Sequence, residues 1–212
     1  MSPANETEPT AVETAAAPEA TFHPVDQDRW PDLVRLFEGH GNPGYCWCMR
    51  WRAPSATFNN LKREGRKEAL HDLVRAGVPI GVLGYVNGEP VGWCSIAPRE
   101  TYAALERSRV LQRIDDEPVW SVVCFFLHRK VRGQGFAVRL LRAAVDLARA
   151  QGATVVEGYP VEPTSTSYTW MGSPAMFAAA GFRDAGASSA GRRVVRYEVD
   201  RAAQDGENVP AG

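Results

Sequence analysis

Residues 120–150 form a strand, a short basic turn and an amphipathic helix, and this run constrains the fold more than any other part of the chain. Residues 122–127 (VVCFFL) are continuously apolar, which is typical of a strand buried on both faces. From residue 138 onward, apolar side chains recur at helical spacing with charged side chains between them, which predicts an amphipathic helix. The connecting turn therefore lies at the N-terminus of a helix.

This turn has the properties of an anion-binding site. The first N–H groups of a helix have no partner inside the helix, and the positive end of the helix dipole lies beside them. Gly133 and Gly135 allow a phosphate to approach the backbone closely. Arg129, Lys130 and Arg132 add positive charge. The glycine spacing fits neither the P-loop nor the dinucleotide fingerprint.

The size and charge of the chain indicate one globular domain. A length of 212 residues with 44% hydrophobic content suits one core better than two. Residues 1–20 and 201–212 are poor in large apolar side chains, so we expect disordered tails around a domain at residues 21–200.

The net charge of −1 gives no indication of a nucleic-acid partner. We expect a cytoplasmic protein, because the sequence shows neither a membrane-spanning run nor a signal peptide.

The rest of the pattern predicts alternating helices and strands. Helices are expected at residues 30–39 (opened by Asp28 and ended by Gly39), 60–76, 101–112 and 174–180. Further strands are expected at residues 21–25, 153–161, 182–185 and 194–199. Residues 80–86 and 89–96 predict a hairpin, because Asn87-Gly88 between them is a preferred two-residue turn.

The basic turn resembles the acyl-CoA signature of the GNAT superfamily of N-acetyltransferases, Arg/Gln-x-x-Gly-x-Gly/Ala. Arg132, Gly135 and Ala137 match this signature in register, and Gly181-Phe182 resembles a later Gly-Phe element of the family. The resemblance covers about residues 21–200. It implies a mixed α/β (α+β) fold with helices on both faces of a mostly antiparallel, twisted sheet that is split between two parallel strands.

The resemblance also implies acetyl-CoA as co-substrate and no metal. The pantetheine would pair with the first parallel strand at Phe125, Phe126 and Leu127. The pyrophosphate would lie on the N–H groups of the turn, formed by Arg132, Gly133, Gln134, Gly135, Phe136 and Ala137. The amine would attack the thioester directly, so a base must take its proton and an acid must meet the departing thiolate.

The usual acid of the family is missing. Many members carry a tyrosine four residues before the Gly-Phe pair, where this chain has Phe177. Tyr168, Tyr159, Ser173 or water could replace it. Each side chain has an alternative role: Tyr159 could pack within its strand, Tyr168 could lie on a loop surface, and Ser173 could cap the following helix.

The sequence leaves the identity of the base open among several carboxylates and His128. His128 follows the central strand, and its alternative role is a contact within the turn or with the CoA backbone. Asp115, Asp116 and Glu117 precede the central strand, and Glu162 follows the next one. Glu157 is the strongest candidate, because a carboxylate within an apolar strand is costly unless it is hydrogen-bonded or faces a cleft. The alternative is an outward-facing strand residue near the sheet edge.

An aromatic segment, residues 45–52 (YCWCMRWR), lies between the first two helices, a region that borders the acceptor pocket in GNAT folds. Trp47 and Trp51 could form the wall of this pocket, and Arg50 or Arg52 could hold a substrate carboxylate through paired hydrogen bonds. The alternative is that the aromatic side chains fill the core and the arginines are solvated. Further tryptophans, Trp170 among them, could converge on the same cleft.

The four cysteines do not indicate a metal site. Cys46 and Cys48 are too few for structural zinc, and no adjacent cysteine or histidine completes a tetrahedron at standard spacing. Together with Cys94 and Cys124, they are expected to be buried free thiols.

These features favour an acetyl-CoA-dependent N-acetyltransferase acting on the primary amine of a small metabolite. One alternative is a CoA-binding sensor or scaffold with little turnover, which the replacement of the usual tyrosine by Phe177 motivates. Another is a protein lysine or N-terminal acetyltransferase, which a cleft open at both ends would favour. A homodimer is compatible with such folds, and neither a nucleic acid nor a membrane is expected as a partner.

Overall fold

A seven-stranded sheet is the centre of the computed structural model, which describes residues 19–39, 43–162, 164 and 168–199. The strands are β1 (Ala20–Pro24), β2 (Val82–Val86), β3 (Glu89–Pro98), β4 (Trp120–Leu127), β5 (Val155–Gly158), β6 (Arg183–Ala187) and β7 (Arg193–Glu198). The helices are α1 (Trp30–Glu38), α2 (Ser55–Asn60), α3 (Arg63–Arg75), α4 (Ala103–Glu106), α5 (Phe136–Ala150) and α6 (Pro174–Ala180). Short 3-10 turns lie at Arg99–Thr101, Arg129–Val131 and Thr169–Met171. The tails predicted at residues 1–20 and 201–212 lie outside the described residues, apart from Glu19 and Ala20.

The sheet is split between β4 and β5, which form the parallel pair of the described strands. The strand order is β1-β2-β3-β4-β5-β7-β6. β4 and β5 pair only from Trp120 to Val122 on β4, opposite Val156 to Gly158 on β5. Beyond Val122, β4 continues to Leu127 with β3 as its only paired strand among the described residues. One edge of β4 is therefore open over residues 123–127.

Helices cover both faces of the sheet because side chains on successive strand residues point to opposite faces. On β2, Val82 packs into the cluster formed with α5 and α6. Its neighbour Leu83 packs into the cluster formed with α1 and α3. A third cluster lies around Trp51, Tyr102 and Tyr159. The predicted fold, a mostly antiparallel α/β sheet with one parallel pair and helices on both faces, is confirmed.

Three predicted helices have different bounds in the structure. The helix expected at residues 60–76 is two helices, α2 and α3, because the backbone at Leu61 is extended. The helix expected at 101–112 is reduced to a 3-10 turn and α4, since Ser108 Oγ accepts hydrogen bonds from the N–H groups of Val110 and Leu111 and ends the helix. The signature helix begins at Phe136, two residues earlier than expected.

The hairpin of β2 and β3 forms where it was predicted. Val86 pairs with Glu89, and Asn87 and Gly88 between them have φ of +50° and +78°. Positive φ at both central residues is the geometry that the Asn-Gly turn favours. At the start of α1, by contrast, Asp28 provides no cap. The N-cap residue is Arg29, whose N–H donates to the carboxylate of Asp26.

Gly158 at the end of β5 is required by close packing against Phe177. A Cβ at Gly158 would lie 2.2 Å from Cε1 and 2.6 Å from Cζ of the Phe177 ring, and that ring is fully buried. We therefore expect Gly158→Ala to lower the free energy of unfolding by about 1–3 kcal/mol, measured by urea denaturation. Gly65→Ala in α3 is the control, since its Cβ meets only the flexible Leu61 side chain and alanine favours the helix.

Combining Gly158→Ala with Phe177→Leu should recover part of the lost stability, because the shorter side chain removes the contact. An unchanged unfolding midpoint in Gly158→Ala alone would contradict the close packing of Gly158 against Phe177.

Among the described residues, no helix has the length and apolar character needed to span a membrane.

Candidate functional site

The turn between β4 and α5 presents a row of backbone N–H groups. Gly133 and Gly135 have φ of +74° and +70°, and a Cβ built at either would meet no atom within 4 Å. These glycines are therefore required by the backbone conformation and not by packing. Within the described part of the chain, the N–H groups of residues 133–138 donate to no acceptor. We call these residues, together with 128–132, the basic turn.

Two side-chain hydrogen bonds hold the basic turn in shape. Arg132 Nε donates to the carbonyl oxygen of Leu127 at 3.0 Å, and Gln134 Nε2 donates to that of Lys130 at 3.0 Å. The Phe136 ring, predicted as part of the turn, is buried beneath it against β2 and β3. Only the backbone N–H of Phe136 is therefore available to a ligand.

The basic turn carries uncompensated positive charge. Arg129, Lys130 and Arg132 are all exposed, and none of them is ion-paired with a carboxylate of the described residues. Unpaired N–H groups, the N-terminus of the fifteen-residue helix α5 and three cations together favour a group with several negative charges.

A cavity of about 420 Å³ opens beside the free edge of β4. We call it the aromatic pocket. Its lining residues are Pro43, Tyr45, Cys46, Cys48, Arg50, Trp51, Phe58, Cys124, Phe125, Phe126 and Trp170. Three of them lie on β4 and overlap the segment predicted to bind pantetheine, so the free edge and the pocket form one continuous site.

The structure distinguishes the two tryptophans predicted to line a substrate pocket. Trp51 and Arg50 line the aromatic pocket. Trp47 has no exposed surface, because its indole packs against Trp30 and Phe37 at ring-centroid distances of 5.8 and 5.2 Å. Its side chain therefore lies in the core and not in the pocket wall.

The backbone at Trp47 and Cys48 has an unusual conformation. The two residues have φ of +45° and +48°, which side chains with a Cβ rarely adopt. The strain is balanced by packing of the Trp47 indole and by a hydrogen bond from Trp93 Nε1 to Cys48 Sγ at 2.9 Å. This conformation turns the thiols of Cys46 and Cys48 toward the pocket that they both line.

These thiols are held in their protonated form. Hydrogen bonding to Cys48 and burial raise the pKa of Cys46 above its usual value, and hydrogen bonding to Cys124 contributes most to the raised pKa of Cys48. All four cysteines are free. No group of three or more His, Cys, Asp or Glu side chains in the described ranges is arranged to hold a metal ion.

Glu157 is the centre of a buried ionic network. Its exposed fraction is 2%, and it lies opposite Ser121 in the β4–β5 pair. Oε1 accepts hydrogen bonds from Arg99 Nη1 at 3.0 Å and from the Tyr159 hydroxyl at 2.7 Å. Oε2 accepts one from Arg196 Nε at 2.9 Å. Because both carboxylate oxygens are engaged and Glu157 does not line the aromatic pocket, its surroundings are those of a structural anchor.

The network extends to other residues that were considered for catalysis. Arg196 also binds Asp115, with Nη1–Oδ2 and Nη2–Oδ1 distances of 2.6 and 2.7 Å, and this guanidinium holds the pKa of Asp115 below its usual range. Burial raises the pKa of Tyr159 well above its usual value. Asp116 and Glu117 are exposed to solvent.

Ser173 and Tyr168 have different surroundings. Ser173 Oγ accepts a hydrogen bond from the Met176 N–H at 3.3 Å, so it caps α6, which is the alternative that the sequence left open. Tyr168 stacks on Trp51 at a ring-centroid distance of 5.9 Å and contacts Trp170 at 5.2 Å. Both tryptophans line the aromatic pocket, so Tyr168 lies beside it.

Several residues of this region were not predicted. Phe58 and Cys124 line the aromatic pocket, and Arg107 and Arg192 line a neighbouring cavity. Arg107 lies after α4 and Arg192 in the turn before β7, so nothing in the local sequence pattern connects either residue with Trp51. Arg99, which is fully buried, carried no signal in the sequence either.

One family model matches the chain, that of the Acetyltransferase (GNAT) family, over residues 47–163. This is more than half of the chain and includes β4, the basic turn, α5 and β5. No curated protein sequence gives a significant match.

Solved structures with a similar fold are acetyltransferases of low sequence identity. The aminoglycoside acetyltransferase AAC(6′)-Ib in complex with coenzyme A has 18% identity and a TM-score of 0.52, with 88% of this chain and 98% of that chain covered. The ribosomal-protein-S5-alanine acetyltransferase of Vibrio fischeri has 14% identity and a TM-score of 0.50, with 86% and 94% covered. An N-acetyltransferase of Kribbella flavida has 13% identity and a TM-score of 0.46; 80% of this chain covers 34% of that one. At these identities the similarity to the first two structures shows the fold alone.

Proposed function

The chain belongs to the GNAT family of acetyltransferases, and on this premise we propose that it transfers the acetyl group of acetyl-CoA to the primary amine of a small metabolite. One observation carries the proposal. The open edge of β4 joins a basic turn with unpaired N–H groups at one end to an aromatic pocket beside it. A thioester held along this edge would have its diphosphate on the turn and its acyl group at the pocket.

The basic turn fits the diphosphate of CoA. The N–H groups of residues 133–138 supply hydrogen-bond donors without an acceptor of their own, and the open space around Gly133 and Gly135 leaves room for phosphate oxygens. Arg132 would add a full positive charge, while its Nε bond to Leu127 keeps the turn attached to β4. Such an arrangement favours an anion through fixed dipoles, which need no reorganisation on binding.

The free edge of β4 would hold the pantetheine. The amide groups of pantetheine match the hydrogen-bonding pattern of a short added strand. On the edge of β4 away from β3, no strand of the described residues pairs with Phe125, Phe126 and Leu127. Phe125 and Phe126 also line the aromatic pocket. This placement would bring the thioester carbonyl next to the acceptor amine, and such proximity supplies a large part of the rate enhancement in bimolecular reactions.

The aromatic pocket favours a neutral amine, which is the form that attacks. No carboxylate lines the pocket within the described part of the chain. Desolvation among aromatic and sulfur side chains disfavours an ammonium ion, and the positive charge of Arg50 disfavours it further. We therefore propose that the amine loses its proton to water as it enters, with Glu157 acting as a structural anchor instead of the base.

The departing thiolate would take its proton from Tyr168 or from water. Phe177 occupies the position of the usual tyrosine, and its phenyl ring has no hydroxyl to donate a proton. Tyr168 stacks on Trp51 at the pocket, which supports a donor role for its hydroxyl. Ser173 is a weaker candidate because its oxygen caps α6.

The size of the pocket supports a small acceptor. The exposed side chains of Tyr45 and Trp170 flank it, and about 420 Å³ is within the range of pockets that enclose small molecules. A protein lysine acetyltransferase needs a groove for an extended peptide. A CoA-binding sensor without turnover would need no acceptor pocket at all.

The proposal is tested by measuring thiol release from acetyl-CoA with a panel of small primary amines, and by mass spectrometry of the N-acetyl product. We expect acetylation of at least one amine class, at rates well above hydrolysis of acetyl-CoA alone. A lysine-containing peptide and a protein N-terminus are assayed in parallel. Acetylation of the peptides alone would favour the protein acetyltransferase, whereas CoA binding without any acetylated product would favour the sensor.

A further inference from the structure

A second cavity, of about 380 Å³, shares Arg50 and Trp51 with the aromatic pocket. We call it the arginine pocket. Arg50, Trp51, Ser55, Arg107, Ser108, Tyr168 and Arg192 are the polar and aromatic residues that line it. They come from four separate parts of the chain: the aromatic segment, the start of α2, the end of α4 and the region between β5 and β7. None of the residues of the basic turn lines this cavity, so it is separate from the expected diphosphate site.

Three guanidinium groups converge on the arginine pocket without a counter-charge. None of Arg50, Arg107 and Arg192 forms an ion pair with a described carboxylate. Arg50 lies over the Trp51 ring and Arg192 over the Tyr168 ring, at 5.6 and 5.7 Å from Cζ to the ring centroid. These ring contacts fix the positions of the cations and neutralise none of their charge.

Two buried donors of the pocket have no acceptor. Trp51 Nε1 and Arg192 Nη2 are inaccessible to solvent and form no hydrogen bond with the described residues. The Trp51 side chain is more than nine-tenths buried, with an exposed fraction of 7%. Ser108 Oγ is already the acceptor for the N–H groups of Val110 and Leu111. Trp47 Nε1 and Arg52 Nε, which do not line this cavity, are also buried without an acceptor among the described residues. The distinguishing feature of this cavity is that its unpaired donors lie beside three guanidiniums without a counter-charge.

We propose that the arginine pocket binds an anionic group, a carboxylate or a phosphate, of the acceptor whose amine enters the aromatic pocket. The inference rests on the proposed function, because it assigns the substrate class of the same site. An oxyanion has several lone pairs, so one group can accept from two of the three guanidiniums at once. Since Trp51 and Arg50 line both cavities, one short molecule can occupy the two together.

The first test compares matched amines in the thiol-release assay. One pair is 4-aminobutanoate and 4-aminobutanamide, and the other is O-phosphoethanolamine and ethanolamine. We expect kcat/KM to favour the anionic member of one pair by about 10- to 100-fold. The pair that shows the preference identifies carboxylate or phosphate as the group recognised. In Arg192→Gln the preference should fall to near unity, mainly through KM, because the uniform binding of the anion is lost.

Arg193→Gln is the matched control. Arg193 is the next residue in the chain, but its Nε pairs with Asp184 Oδ2 on β6 at 3.3 Å, and it does not line the arginine pocket. The preference should be unchanged in this variant. Equal kcat/KM for the acid and the amide, and for the phosphate and the alcohol, in the unsubstituted enzyme would overturn the inference while leaving the proposed function intact.

A second test needs no turnover. Inorganic phosphate and acetate are titrated into the protein at saturating CoA, so that the basic turn is occupied, while the indole N–H resonance of Trp51 is followed by NMR. That resonance is assigned by its absence in Trp51→Phe. We expect a saturable shift with one of the two anions, lost in Arg192→Gln and kept in Arg193→Gln. No shift with either anion would contradict an anion site, even if no acetylated amine had been found.

Discussion

Replacing Glu157 with alanine is expected to lower the free energy of unfolding by about 3–5 kcal/mol. The substitution leaves Arg99, which is fully buried, with only the partly exposed Glu106 as counter-ion, and leaves Arg196 with Asp115 alone. A buried guanidinium that has lost its buried partner costs more than the ion pair itself contributed. Urea denaturation followed by fluorescence measures the change. Glu68→Ala is the control, since its pair with Arg75 is exposed and is worth about 0–1 kcal/mol.

The more conservative Glu157→Gln separates an anchor from a general base. If Glu157 is the anchor, this variant unfolds more easily, but its folded fraction keeps most of its kcat. If Glu157 is the base, the unfolding midpoint also falls, because the ionic network is weakened in either case, but kcat of the folded fraction drops by about 10²- to 10⁴-fold. The second outcome would contradict our assignment of the proton to water.

Gly135→Glu is expected to weaken acetyl-CoA binding by about 100-fold or more, because it places a carboxylate at the N-terminus of α5 among the donors meant for the diphosphate. Glutamate also disfavours the φ of +70° that Gly135 adopts, so the substitution distorts the turn and lowers the affinity further. Equilibrium dialysis with labelled acetyl-CoA measures the change in affinity.

Gly152→Glu is a closely matched control. Gly152 follows the C-terminus of the same helix, has a φ of +82° and, like Gly135, would place a Cβ in open space. Its backbone strain and added charge are therefore equivalent, whereas its distance from the basic turn is the length of α5. Equal losses of affinity in the two variants would show that strain in α5, and not the anion site, is responsible.

The strand, turn and helix of residues 120–150 were predictable because the information is local. Continuous apolar character, glycines at a turn and helical periodicity each depend on a few neighbouring residues. The start of α5 was predicted two residues too late because that prediction, too, used only local sequence. Phe136 was assigned to the turn, whereas its buried ring packs under β2 and β3 at two glycines, Gly84 and Gly92.

The ionic partners of Glu157 could not be predicted from the sequence. Its partners Arg99 and Arg196 lie 58 and 39 residues away along the chain, and only the pairing of β5 with β4 and β7 brings them together. The sequence showed that a carboxylate in an apolar strand needs partners. It could not identify them, and so it did not distinguish a catalytic base from a structural anchor.

The aromatic segment shows the same limit. Alternating tryptophans, cysteines and arginines predicted a pocket, and Arg50 and Trp51 do line one. Trp47 faces the core instead, because the left-handed backbone at residues 47 and 48 departs from any regular periodicity. Arg192 reaches Tyr168 only because of how the turn between β6 and β7 folds over the domain, and no pattern in the sequence encodes that contact.

Calorimetric titration of the unsubstituted protein with acetyl-CoA measures directly whether the basic turn and the open edge of β4 bind the acetyl donor. We expect saturable binding with one acetyl-CoA per chain, competed by CoA and weakened by added salt, since phosphate contacts with Arg129, Lys130 and Arg132 are screened by ions. If neither acetyl-CoA nor CoA binds, the basic turn and the open edge of β4 are features of the fold alone, and the proposed function is wrong.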